Sequence, residues 1–220
     1  MADDTTDRNR DDSTPTCKKL DDLKKLIDGI EVAMFTTRRA DGQLVSRPMQ
    51  AQKRNEHADL WFVTDVESHK LDELQHDEHV NLSFYKDRTR EWVSVAGAAR
   101  ISQDRDLIRE VYQPDWRAWF GDEGGERDGG PDDPRLALVL VQAQSVIYSI
   151  TNKPQPLVLF EVAKGMITGS PPDVADVRQM GERELRRAGF VEPEVGELPR
   201  HADRSAAQPS RDSEERGEVY

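Results

Sequence analysis

Six apolar runs rich in branched residues, set off by turn signals, confine this chain more tightly than any other feature. "VAMFTTRR" and "LVSRPMQAQ" flank an Asp41-Gly42 turn, the pattern of a hairpin, and "DLWFVTD", "HVNLSFYKD", "EWVSVAGAARIS" and "RLALVLVQAQSVIYSI" follow. Helical segments interrupt this series at two places: "SHKLDELQ" after the third run, and "DRDLIREVY" with "PDWRAWF" before the last. A doubly wound sheet needs strand and helix in regular alternation, so the series predicts a small antiparallel barrel with helical excursions. Pro48 has no N–H to give a ladder and places its run on an edge, while Gly97 marks a close approach of a neighbour.

Three further segments read as helical. "STPTCKKLDDLKKLIDGIE" spaces Leu20, Leu23, Leu26 and Ile27 along one face behind a Thr16 cap. "PLVLFEVAKGMITG" brings Leu159, Phe160, Ala163, Met166 and Ile167 onto one helical face, with Gly169 to end it. "PDVADVRQMGERELRRAG" reads as a last, charged helix at the periphery, and the Gly- and Asp-rich "GDEGGERDGGPDD" as a flexible surface loop.

The 220 residues suffice for one good-sized domain with tails. Their net charge of −12 is unevenly placed. Residues 1–16, 121–133 and 189–220 hold 19 of the 43 acidic and 7 of the 31 basic side chains, which leaves 24 of each elsewhere. The folded part is therefore neutral, and the acidity of the remainder disfavours nucleic acid and anionic membrane as partners. The boundaries expected are a disordered acidic tail over 1–16, a domain over 17–172, a peripheral helix over 173–189 and a second disordered acidic tail over 190–220. One cysteine, Cys17, allows no intrachain disulfide, and neither a signal-peptide pattern nor a span-length apolar stretch is present, so the expectation is cytoplasmic.

The chemistry concentrates at "FVTDVESHKLDEL". Ser68, His69 and Lys70 open a helix, where unpaired N–H groups and a partial positive charge favour an anion and make a lysine out of place. Either an external phosphate is held there, by the N–H groups, the Ser68 hydroxyl and the Lys70 charge, or Ser68 only caps and its neighbours are solvated. "VSRPMQ" adds an arginine, Arg47, on the edge strand; "DWRAWF" adds Trp116 and Trp119. A guanidinium, a phosphate socket and an aromatic plate together suit a flavin mononucleotide; separately they are an ion pair, a cap and a core-packed helix face. His69, His76 and His79 lack a cysteine or fixed carboxylate to complete a metal set, so no metal is expected.

In order and spacing, "MFTT…DG…SRPM…LWFVTD…SHKLDEL…VNLSFY…WVSVAGAARI…AWF" resembles the pyridoxamine 5'-phosphate oxidase-like flavoproteins, and within them the general stress protein group, from about Leu20 to about Pro172. The resemblance implies a six-stranded antiparallel split β-barrel with peripheral helices, a homodimer, and FMN at its interface. It places Met34, Phe35 and Thr36 by the isoalloxazine edge, Arg47, Met49 and Gln50 along the ring and ribityl chain, and Thr64 and Asp65 near ribityl and phosphate. Ser68, His69 and Lys70 fall at the phosphate and Trp119 beside the flavin. The Arg- and His-containing substrate motif of the true oxidases has no counterpart after Pro172, which argues against vitamin B6 oxidation. The resemblance leaves a flavin-dependent oxidoreductase of unknown substrate, a non-catalytic flavin-sequestering stress protein, or a barrel that takes FAD, a deazaflavin or haem instead.

Overall fold

The computed structural model describes residues 9–52, 59–169 and 174–187. Helix α1 (Thr16–Ile30) leads into the hairpin β1 (Val32–Arg38) and β2 (Leu44–Gln50). β3 (Leu60–Asp65) and α2 (His69–His76) follow, then β4 (His79–Lys86) and β5 (Glu91–Ser102). After α3 (Arg105–Val111), a 3-10 turn over Pro114–Trp116 and the short α4 (Arg117–Phe120), the chain runs into the 16-residue β6 (Leu136–Thr151). It ends in α5 (Gln155–Thr168), β7 (Ala175–Gly181) and α6 (Glu182–Arg187). The sheet order is β2-β1-β4-β5-β6-β3, with β7 also on β6, and the named strand pairs are all antiparallel.

This is the six-stranded split barrel read from the sequence, with one addition. The hairpin turns at Gly42 in the left-handed region, φ 84°, and β2 with its Pro48 lies on the edge. At Gly97 the register of β5 against β6 slips, and a Cβ there would stand 2.3 Å from the Gln142 carbonyl oxygen, so only glycine fits. The addition is β7, which overturns the peripheral helix expected over 173–189. Its residues 175–181 pair with Ser145–Thr151 of β6, and among the described residues of that segment only Glu182–Arg187 are helical.

β6 is the hub. β5 flanks it on one side; on the other, β3 takes Leu136–Val141 and β7 takes Ser145–Thr151. In the seam between them the Ala143 N–H donates to the buried Asp59 carboxylate at 2.7 Å. Burial pushes that carboxyl up to about 7. Alternation along β6 serves two cores: Ala137, Val139 and Val141 join the barrel interior, while Leu136, Leu138 and Leu140 pack outward on Trp61, Ile108 and Trp116. α1 caps the interior with Leu20, Leu23, Leu26 and Ile27. Its first residue, Thr16, does not cap it: Pro15 holds the N-cap position, and the Thr16 hydroxyl donates to Glu184 at 2.8 Å.

Two acidic stretches are built into the fold, against expectation. Residues 9–16, placed at the end of a disordered tail, lie along β7: Val177 N–H donates to Asn9 O at 2.8 Å, and Asp11 N–H to Val177 O at 2.9 Å. The buried Arg178 then bonds Asp11 at 2.9 Å and Asp22 of α1 at 2.6 Å, so the strap, β7 and α1 share one cation. The loop 121–133 likewise closes on the buried Arg135, whose guanidinium donates to Asp133 and to the carbonyls of Phe120, Gly121 and Arg127. Residues 1–8 and 190–220, the remainder of the expected tails, lie outside the described residues.

Candidate functional site

Strand alternation decides where each expected site residue points. On β1, Ala33, Phe35 and Thr37 are buried, and Met34 and Thr36 face the opposite side. On β2, Arg47 and Met49 lie inward with Val45, and Gln50 outward with Ser46 and Pro48. Phe35 meets Phe62 edge-on at 5.2 Å in the core, so only its backbone borders the outer face. Met34, Thr36 and Gln50 thus share the outer face, and Arg47, Met49 and the buried Thr64 belong to the inner one.

At one end of the barrel α2 plugs the inner face with two side chains spaced i, i+3. Lys70 donates to the Thr64 hydroxyl of β3. Glu73 accepts both arms of Arg47, at 2.8 and 2.7 Å, and the Thr37 hydroxyl at 2.6 Å. Arg47 also reaches Thr37 at 3.0 Å. One turn of helix therefore ties together three strands, since residues three apart project from one face. Arg47 is a shared ion pair of the barrel mouth, and its hydrogen bond holds the Glu73 carboxyl below the usual range. Burial lowers Lys70, and the neighbouring Arg47 charge lowers it further against the pull of Asp65 and Glu73.

The helix start itself is open to an anion. Ser68 occupies the N-cap position with extended backbone, yet its hydroxyl makes no cap hydrogen bond. The turn before it is held instead by Asp65, whose carboxylate accepts the Glu67 N–H at 2.8 Å. His69 is 96% exposed, 3.9 Å from Asp72. Beside it the closed loop contributes Arg127, paired with Glu67 at 3.1 Å. An anion placed here would meet free helix N–H groups, a hydroxyl and a nearby ammonium.

The two tryptophans part company. Trp116 is buried against Trp61 and Tyr112, at 5.9 and 5.4 Å, and its indole N–H donates to Gln52. Trp119 is 81% exposed. Sequence reading missed Glu73 and Thr37. The signals were present: Lys70 and Glu73 sit three apart, and Thr37 continues the inward parity of Ala33 and Phe35.

A split barrel with an anion-ready helix start at its mouth defines the class of protein. The chain belongs to the pyridoxamine 5'-phosphate oxidase like family, whose pattern residues 18–173 match. It is 40% identical over 188 residues to protein bli-3 of Neurospora crassa, covering 84% of this chain and 90% of that one. Among solved structures it is similar to a candidate general stress protein 26 from Jannaschia sp. CCS1, with 23% identity, TM-score 0.55, and 74% of this chain and 99% of that one covered. It is also similar to a Clostridium acetobutylicum protein related to general stress protein 26 of B. subtilis, with 18% identity, TM-score 0.52, and 60% and 88% covered. The structural likenesses bear on the fold.

Proposed function

We propose that the chain binds FMN as a homodimer and acts as a flavin-dependent oxidoreductase of the general stress type. The observation that carries this reading is the mouth of the barrel, where Lys70, Thr64, Arg47 and the uncommitted Ser68 hydroxyl converge in a chain of this family. Ser68, Lys70 and the first N–H groups of α2 would hold the phosphate, with His69 at its rim. Thr64 fixes the Lys70 ammonium, and Asp65 fixes the turn that presents the helix. Arg47 would border the ribityl chain at the mouth on the inner face; Met34, Thr36, Gln50 and the Phe35 backbone would border the ring on the outer face, past the edge strand, and the Met49 side chain, buried in the core, would support that edge from beneath. Trp119 would cover it from a second subunit, because in its own chain it is 81% exposed. A bound flavin would supply hydride acceptance, and the protein would orient it and exclude water.

Titration of the full chain with FMN and with riboflavin tests this. A charge-assisted bond to phosphate is worth about 1.5–3 kcal/mol, so Lys70→Ala should weaken FMN roughly ten- to a hundredfold and leave riboflavin unchanged. Equal affinity of the parent protein for the two ligands would refute the phosphate socket. Anaerobic reduction of the bound flavin by NAD(P)H supports the oxidoreductase; a tightly held flavin that resists it favours sequestration.

A further inference from the structure

We infer that the groove between α1 and α6 is a docking site for an acidic segment, and that its occupant is this chain's own residues 188–199. The inference is independent of the flavin. α1 presents Cys17, Leu20, Asp21 and Lys24 along one face, at the i, i+3, i+4 and i+7 spacing that lines up on a helix, and α6 sets Arg183, Glu184 and Arg187 opposite them. The groove measures about 780 Å³, the size of a ligand site, and the nearly buried Leu20 gives it an apolar wall. Its charge is unlike that of the chain as a whole. The chain carries −12, yet three cations line the groove against two carboxylates, and one of these is engaged: Glu184 accepts the Thr16 hydroxyl at 2.8 Å and lies 3.7 Å from Lys19. Lys24, Arg183 and Arg187 form no ion pair among the described residues, although Lys24 is half-buried.

The chain supplies the matching segment at the groove's own wall. Two of its acidic stretches already sit on arginines: the strap on Arg178 through Asp11, and the loop 121–133 on Arg135 through Asp133. The third begins just past Arg187. Residues 188–199 hold Glu192, Glu194 and Glu197, no cation, and the apolar Phe190, Val191, Val195 and Leu198. Beyond them Arg200, Arg204, Arg211 and Arg216 are mixed among the acids, so the stretch nearest the groove is also the one of unmixed charge. Reach is sufficient. Cys17 to Lys24 spans about 10 Å of helix axis, while the segment can extend to roughly 40 Å. Seated there, its carboxylates pair with the three cations and its apolar side chains cover Leu20 and Cys17. Exposed pairs are individually weak, but a segment tethered at the wall binds at an effective concentration in the millimolar range, so a few suffice.

Cys17 is the chain's single cysteine and lines the groove, which makes proximity measurable. In the full chain, Val195→Cys, Leu198→Cys and, as a distance control, Val219→Cys are each oxidised with diamide, and the disulfide to Cys17 is followed by mass spectrometry. Free tethering alone favours position 195 over 219 by about eightfold, since effective concentration falls as roughly the −3/2 power of tether length. Seating should raise the faster of the two near positions by a further threefold to about a hundredfold over the control, the worth of three exposed ion pairs. Arg183→Glu with Arg187→Glu should return the ratio to the tether value, and so should about 1 M salt. The control corrects for any change these substitutions make in the Cys17 thiol itself. Both arginines are exposed, so circular dichroism should be unchanged. A parent ratio at the tether value, or a high ratio that survives the arginine substitutions, would overturn the inference. Disulfides that form between chains rather than within one would give the groove to a second copy's segment and overturn the assignment of its occupant.

Discussion

Helices α1 and α5 have nearly the same length and opposite fates. α1 has the poorer apolar content, with four lysines and three aspartates, yet buries Leu20, Leu23, Leu26 and Ile27. α5 is the richer and leaves Leu157, Phe160, Met166 and Ile167 in solvent. Hydrophobicity therefore does not decide burial; a receptor does. α1 spaces its leucines to match the open end of the barrel, and the residues of β4, β5 and β6 that meet it are themselves apolar. For α5 the protomer supplies no such seat among the described residues.

The sharpest way to break this contrast is to truncate each helix at a matched position. Leu23→Ala, fully buried, should cost about 2–5 kcal/mol in chemical denaturation. A cost below about 0.5 kcal/mol would mean that α1 is no better seated than α5. Next in size stands α2, whose seat is polar. Glu73→Ala leaves Arg47 and Thr37 without their acceptor and should cost about 2–3 kcal/mol, and Glu73→Gln less, because it keeps an acceptor oxygen.

A pH titration sharpens the picture of the interior. Asp59 has a folded value of about 7 against 3.8 unfolded, so between those values the folded state holds a proton that the unfolded state lacks. Stability should fall as pH rises from about 4 to about 7 and level off above. Asp59→Asn keeps an acceptor for the Ala143 N–H and should flatten that slope, which denaturation at pH 5 and pH 8 would reveal. The smallest effect belongs to α5: Phe160→Ala, whose ring is exposed, should move unfolding by less than about 0.5 kcal/mol.

Features specified locally were legible in the sequence. The Asp41-Gly42 turn, the edge set by Pro48, the close approach at Gly97 and the helix stop at Gly169, with φ 70°, rest on backbone constraints that one or two residues announce. Features that depend on distant charges were not legible. β7 reads as helix because its burial does not alternate; Val177 and Arg178 are both buried, the arginine through carboxylates from residues 11 and 22. The strap reads as disordered and the loop 121–133 as a flexible surface loop for the same reason: an acidic run looks solvated until Arg178 or Arg135 is seen beneath it. The site followed the same rule. The open helix start was visible, but Arg47 was read without Glu73, which neutralises it from 26 residues away.

The hub strand implies an order of events when the molecule opens. Residues 138–141 and 145–149 of β6 are flanked by strands on both sides, so their amide protons should exchange with solvent only when the whole barrel comes apart. The seam at 142–144 is closed on one side by the Asp59 carboxylate rather than by a strand. Its amide at Ala143 should therefore exchange sooner than its neighbours, and faster once Asp59 is protonated. Deuterium uptake along this single strand would thus mark where the barrel first parts, at the place where its two shorter flanking strands fail to meet.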